Sequence, residues 1–359
     1  MPNQHNALII PSVGATPEIG KRATPTPGTG QVLVRNKAVA LNPVDNFIQK
    51  TGYFVDGFPA VVGSDGAGEI AALGAGVEGW KVGDKVFYQC AFTPDRGTFQ
   101  ELTIADAARI AKVPSNLSYE QIATVPLTLA TAAIGAYKPK TDVLLPTGNS
   151  AGGAGLTPPW EASGRGKYAG EVAVILGGSS SVGQFAIQLA KLSGFSTIIT
   201  TASKHNEAYS KDAGATDFID YHEVPYAKLP EAVHKIVGDK PVKYVYDAIS
   251  QPESQKAGWE LLSGSGGVLV IVLPPSSEIG APGKDDEKGR HLVYTFGASN
   301  GEANLEFGAG LYAKATELLE KGDLKPNKVE NLGKSLEVIP VGLAKLEKGV
   351  SGVKLVATL

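Results

Sequence analysis

The run Val174-Ile175-Leu176-Gly177-Gly178-Ser179-Ser180-Ser181-Val182-Gly183 joins an apolar strand end to two glycines and three serines. Beyond it, Val182, Phe185, Ala186, Leu189 and Leu192 recur at helical spacing, and Gly194 supplies a C-terminal stop. A strand, a glycine-rich turn and an amphipathic helix in that order form the context a dinucleotide site needs. Glycine permits the tight turn and close approach, and backbone N–H groups at the helix N-terminus face a pyrophosphate. The strict G-x-G-x-x-G fingerprint is not met, because Ser180 stands where its second glycine would be. Serine is small, and its hydroxyl can itself bond a phosphate oxygen. The competing reading is an ordinary turn between a strand and a helix.

On either side of this run the pattern extends. Segments 171–177, 196–201, 217–221, 244–249, 267–273 and 292–297 read as short strands. Helical segments lie at 182–192 and 205–213, around Val233, and at 259–262. Such alternation predicts a parallel, doubly wound α/β sheet. The first ~125 residues read differently. Segment 31–40 alternates apolar and polar, 61–72 is punctuated by glycine, and 80–88 holds the turn pair Gly83-Asp84. These predict a mostly antiparallel β domain. Segment 304–321 has the spacing of an amphipathic helix, and 350–359 is again β-like. The expected organisation is therefore a β domain over 1–125, a nucleotide-binding domain over 126–297, and a segment 298–359 that returns to the first. Segment 141–170, rich in Gly, Pro and Thr, is expected to be a long loop, either functional or mobile.

Bulk properties narrow the chemistry. The 359 residues suit about two domains, and 43% hydrophobic with 19% charged residues suits a globular protein with a sizeable core. A net charge of −3 gives no electrostatic case for nucleic acid or an anionic membrane as partner. Cys90 is the single cysteine, so no intrachain disulfide forms and a reducing compartment is expected. The apolar runs, such as 172–176 and 268–273, are too short to span a bilayer, and a cytoplasmic location is the expectation. The histidines are His5, His205, His222, His234 and His291, with none between the first two. A zinc site needs three or four Cys, His or carboxylate ligands, so zinc is not expected. His205 lies where it can touch cofactor phosphate, whereas His222, His234 and His291 read as surface or packing residues. No Gly-x-Ser-x-Gly elbow with a following acid and histidine occurs, and Cys90 reads as a small buried hydrophobe.

The end of the second strand bears on the cofactor. An NAD site wants an acid ~20 residues after the glycine turn to hold the ribose 2′-hydroxyl. Here the strand runs into Ala202-Ser203-Lys204-His205-Asn206, with no carboxylate before Glu207. A cation and a hydroxyl in that place predict a 2′-phosphate, hence NADPH over NADH. Lys204 is otherwise a solvated charge at a helix start. Tyr221, at the end of the following strand, either flanks the phosphate or packs in the core.

Several further motifs resemble the medium-chain dehydrogenase/reductase family. They are Asn42-Pro43-Val44-Asp45, Pro59-Ala60-Val61-Val62-Gly63-Ser64-Asp65-Gly66-Ala67-Gly68, Gly83-Asp84-Lys85-Val86, Gly97-Thr98-Phe99-Gln100-Glu101, Val125-Pro126-Leu127-Thr128-Leu129-Ala130-Thr131-Ala132 and Val350-Ser351-Gly352-Val353-Lys354-Leu355-Val356. They stand in the family's order and cover almost the whole chain. Pro158-Pro159-Trp160-Glu161 and the serine turn through Gln184 are similar to the fungal stand-alone enoyl reductases of the zinc-independent branch, which also holds quinone oxidoreductases and alkenal reductases. Polyketide-partnered members carry a lysine two positions after the aspartate of Asn-Pro-x-Asp. Phe47 stands there in this chain, with Lys50 further on, which speaks against a polyketide synthase partner but not against the reductase class.

The resemblance implies a GroES-like β domain and a Rossmann domain. It places Asn42 and Asp45 near the nicotinamide, and Thr128 near nicotinamide and substrate. Gly178, Ser179, Ser180, Ser181 and Val182 would hold pyrophosphate, and Ser203, Lys204 and Tyr221 the 2′-phosphate. Leu273, and Val350 with Ser351, would approach the nicotinamide by backbone. The implied activity is NADPH-dependent hydride transfer to an activated C=C bond in an enone, enal or enoyl thioester. Donors to the conjugated carbonyl would be the Asn42 amide and the Tyr53 and Thr128 hydroxyls, although a tyrosine in Gly-Tyr-Phe also suits wall packing. The alternatives are a quinone reductase and, from another class, a non-catalytic NADPH-binding structural or regulatory protein. Either a monomer or a homodimer is compatible with the sequence.

Overall fold

Val172–Leu176 is an unbroken apolar strand, VAVIL, with every residue buried. Strands of that kind sit in parallel sheets covered on both faces. In the computed structural model, which describes residues 3–359, it is a central strand of a six-stranded, all-parallel sheet. The order across the sheet is Asp217–Asp220, Thr197–Ala202, Val172–Leu176, Val242–Asp247, Val268–Ile271 and His291–Tyr294. The chain winds outward on one side for two strands, then returns and winds outward on the other. The reversal falls between Val172–Leu176 and Val242–Asp247, and ligands of such sheets bind beyond the carboxyl ends of the strands at that point. Leu176, Ile199, Val233, Val245, Trp259 and Leu269 belong to its apolar core.

The long segment 141–170 contains no helix or strand. Its backbone is nonetheless tied down. Ala154 N–H donates to the Gly135 carbonyl at 2.7 Å, Leu156 N–H to the Ala136 carbonyl at 3.0 Å, and Tyr168 N–H to the Ser193 carbonyl at 2.9 Å.

By the clustering of its contacts, the chain forms two units. One is the chain up to Leu127 with Ala298–Gly322 and Pro326–Leu359, and the other is Thr128–Gly297 with Asp323–Lys325. In the first, Gln31–Ala40 is the central strand. It pairs antiparallel with Asp65–Leu73, with Leu102–Asp106 and with Lys354–Thr358, the last in the register Val356 to Ala40. Two strand boundaries differ from the sequence expectation. Segment 61–72 becomes a strand only at Asp65–Leu73, and 80–88 only at Lys85–Gln89, because Gly83 at φ +90° turns the chain just before it. The helix Pro43–Thr51 was not expected at all. Its signal was present in Asn42-Pro43-Val44-Asp45, where a cap residue, a first-turn proline and an acid at the third helical position stand in line. Among the described residues no helix is long and apolar enough to cross a membrane.

Candidate functional site

In the parallel-sheet unit, Gly177 follows the strand at φ +77°, a conformation that favours glycine, and the helix Ser181–Ser193 begins four residues later. Ser180 caps it, its hydroxyl oxygen accepting from the Gly183 N–H at 3.0 Å while keeping its own hydrogen available. A Cβ at Gly183 would run into the Gly177 carbonyl oxygen, so the turn and the helix pack at glycine distance. Gln184 Nε2 donates to the Gly178 carbonyl at 2.7 Å and fixes the turn from inside. The N–H groups of Ser181 and Val182 belong to the first helical turn, where no intrahelical acceptor exists. Ser179, Ser180, Ser181 and Val182 are half-buried, whereas Gly178 and Gly183 are buried. A thirteen-residue helix with open N–H groups at an accessible N-terminus suits a pyrophosphate.

Ala202 pairs with Asp220 across two neighbouring parallel strands, so the residues after them leave the sheet side by side. Ser203 follows one strand and Tyr221 the other, and their oxygens lie 2.9 Å apart. His222 Nε2 lies 3.4 Å from the same Ser203 oxygen. Tyr221 is 36% exposed, which decides against core packing. Lys204 is exposed; its ammonium donates to Glu207 Oε2 at 2.6 Å, which holds it above the ordinary lysine range. The sequence groups Ser203, Lys204 and Tyr221, whereas His222 reads there as a surface or packing residue.

Asp247, at the end of the strand beside the reversal, was not singled out in the sequence. It is buried and accepts from Ile249 N–H at 3.0 Å, Ser250 N–H at 2.8 Å and the Ser254 hydroxyl at 2.6 Å. Burial pushes its carboxyl up to about 6. It shapes the turn in which Ser250 takes φ +54°, and the Ser250 oxygen in turn accepts from Val272 N–H at 2.9 Å. Leu273 follows that residue, 43% exposed, beyond the strand Val268–Ile271. Thr128 is buried in the helix Pro126–Tyr137.

The β unit holds a buried polar cluster. Antiparallel pairing sets the start of Lys354–Thr358, the end of Gln31–Ala40 and the start of Asp65–Leu73 on one edge. Asn42 there donates Nδ2 to Asp65 Oδ2 at 2.9 Å, and its Oδ1 accepts from the Lys354 ammonium. Lys354 also lies 3.2 Å from Asp65, whose other oxygen accepts from Leu127 N–H at 2.6 Å. Asp45 accepts from Asn42 N–H and from the Ser64 hydroxyl, both at 2.8 Å. Asn42 is 1% exposed, and Asp45 and Asp65 are fully buried. This corrects two expectations. The Asn42 amide is engaged within the protein and is not free to polarise a substrate carbonyl, and the Asp45 carboxyl is enclosed rather than offered to a nucleotide. Both support the helix start. Ser64, Asp65 and Lys354 were not recognised as a unit, because a buried ion pair between distant residues has no local pattern.

Burial pushes the Asp45 carboxyl up to about 7, with Asp65 adding to the rise. Its protonated form therefore favours the folded chain. That contribution is complete at low pH and is lost as pH climbs from about 4 through about 7. In Asp45→Asn, the loss of stability between about pH 5 and about pH 8, read from urea midpoints, is expected to shrink. An unchanged loss would place the dependence in other groups.

Tyr53 is 50% exposed, and its ring packs against Phe54 at 4.6 Å and Phe47 at 6.0 Å between centroids. Among the described residues its hydroxyl makes no hydrogen bond, so it is available to a ligand. Val350 packs against the apolar cluster around Ile48 and Leu343, and Ser351 is exposed.

Residues 28–115 match the family model of the alcohol dehydrogenase GroES-like domain, and residues 181–304 that of zinc-binding dehydrogenase. The dehydrogenase orsE of Emericella nidulans is 30% identical, over 99% of each chain, and the trans-enoyl reductase tndF of Aspergillus flavipes is 32% identical over 100% of each. The chain belongs to the medium-chain dehydrogenase/reductase family. Membership makes this dehydrogenase/reductase an oxidoreductase with a nicotinamide nucleotide as cofactor, and its sheets are those of a GroES-like domain and a Rossmann domain. An alcohol dehydrogenase superfamily protein of Novosphingobium aromaticivorans shares the fold at a TM-score of 0.77 and 24% identity, covering 99% of each chain. A quinone oxidoreductase of Pseudomonas syringae does so at 0.75 and 22%, covering 99% of this chain and 100% of that one. Zinc appears in the description of one matching family model. Among the described residues of this dehydrogenase/reductase, no three His, Cys, Asp or Glu side chains are grouped to hold a metal ion.

Proposed function

We propose that the chain is a zinc-independent, NADPH-dependent reductase acting on a C=C bond conjugated to a carbonyl. The observation that carries this reading is the group of Ser203, Tyr221 and Lys204 at the carboxyl ends of adjacent strands, where two hydroxyls and a cation stand in place of a ribose-binding acid. The name of the Aspergillus flavipes relative, trans-enoyl reductase, supports the class of substrate.

When bound, the reduced nicotinamide supplies the hydride. The N–H groups of Ser181 and Val182, with Ser179 and Ser180 beside them, hold the pyrophosphate; Ser203, Lys204 and Tyr221 hold the 2′-phosphate. In the parallel-sheet unit Leu273 and Thr128 would approach the nicotinamide, and the resemblance assigns the same role to Val350 and Ser351. The Tyr53 hydroxyl donates to the substrate carbonyl, stabilising enolate charge, and either it or water delivers the proton to the α-carbon. Asn42 and Asp45 act one step back, by fixing the start of the helix that leads to Tyr53.

Incubating the protein with an enone, a 2-enal, an enoyl thioester and a benzoquinone while following NADPH absorbance tests this. Oxidation with the conjugated carbonyls supports the proposal. Oxidation with the benzoquinone alone transfers it to quinone reduction. Oxidation with none, despite binding, leaves a non-catalytic nucleotide-binding protein.

A further inference from the structure

We infer that His222 is a protonation-dependent contact for the 2′-phosphate, so that preference for NADPH over NADH weakens as pH rises. This rests on the 2′-phosphate reading above and adds its regulation.

The geometry comes first. Because Ala202 pairs with Asp220, the turns after both strands emerge together, and the Ser203 hydroxyl is shared between Tyr221 OH at 2.9 Å and His222 Nε2 at 3.4 Å. Three polar atoms thus converge within the span of one phosphate. The turn is held before any ligand arrives. His222 N–H donates to Asp220 Oδ1 at 2.9 Å, and Val224 N–H to the Asp220 carbonyl at 2.9 Å. The His222 ring lies 4.3 Å from that of Tyr221, which stacks on Tyr226 at 6.2 Å and 5°.

Charge comes second. Titratable groups on the turn of His222 are Asp220, Tyr221 and Glu223. The neighbouring turn and helix carry Lys204, His205, Glu207 and Lys211, and the next turn carries Tyr226 and Lys228. Glu207 holds both Lys204, at 2.6 Å, and Lys211, at 3.2 Å, and Asp220 acts on Lys204 as well. Lys204 and Lys211 are therefore already balanced by Glu207 and Asp220. A phosphate monoester carries up to two negative charges above about pH 6. Lys204 balances it only by loosening from Glu207, and a further cation is needed. Histidine is the side chain whose charge changes between about pH 5 and 8, and its protonated ring donates from both nitrogens. As a neutral ring with Nε2 accepting from Ser203, it offers the phosphate no attraction.

The test is the dissociation constants of NADPH and NADH, from quenching of intrinsic fluorescence, between about pH 6.5 and about pH 9, for the native chain, His222→Gln and His222→Lys. The phosphate stays largely dianionic over this range and is common to all three proteins. In the native chain the NADPH preference is expected to fall about tenfold across the range, the size of one charge-assisted hydrogen bond. His222→Gln should show a flat, low preference and His222→Lys a flat, high one, with NADH affinity the same in all. A native pH profile in His222→Gln overturns the role of His222 while leaving the 2′-phosphate site intact. No NADPH preference in the native chain at any pH overturns both.

Discussion

Lys204→Ala is expected to raise KM for NADPH by about 10- to 100-fold and to leave KM for NADH within about twofold. A hydrogen bond from an ammonium to a phosphate carries about ten- to a hundredfold in affinity. Two features push toward the lower figure. The side chain is 73% exposed, so water screens it, and its ammonium must first loosen from Glu207. Glu207 keeps Lys211 as partner in the variant, so the helix that carries it should stay folded. Steady-state kinetics with each nucleotide at saturating second substrate decides the matter. An equal change for both nucleotides would remove Lys204 from the 2′-phosphate.

The largest effect on stability is expected at Lys354. Its side chain is 5% exposed and that of Asp65 is fully buried, so Lys354→Met strands a carboxylate that, among the described residues, keeps Asn42 Nδ2 and Leu127 N–H as donors. Removing one partner of a buried ion pair costs about 3–5 kcal/mol, a large fraction of a typical domain's stability. Urea unfolding should show a loss of that size, and Lys354→Met combined with Asp65→Asn should recover much of it, because the stranded Asp65 charge is then gone. A loss below about 1 kcal/mol in the single variant would mean that Asp65 finds compensation elsewhere.

What could be read in advance follows from how each feature is encoded. The parallel strands are legible because burial on both faces makes them apolar throughout, as in Val172–Leu176, and the serine turn is legible because its strand and helix flank it directly. The helix Pro43–Thr51 escaped notice because nine residues hold too few apolar positions to show a period, although its cap pattern was in plain view. Strand alternation shows which side a residue faces, not its partner, so Lys354 in a β-like tail gave no hint of Asn42 and Asp65. The resemblance places Asn42 at the substrate by its position in the motif, and position alone does not show that Asp65 and Lys354 already engage its amide. His222 needed the register of two strands, which brings it to Ser203.

The most direct measurement is fluorescence titration of the purified chain with NADPH and with NADH near neutral pH. The cradle at Gly177–Val182 with Ser203, Lys204 and Tyr221 beyond it predicts binding of both, with NADPH tighter by about tenfold or more. Failure to bind either nucleotide, or equal affinity for the two, would contradict it.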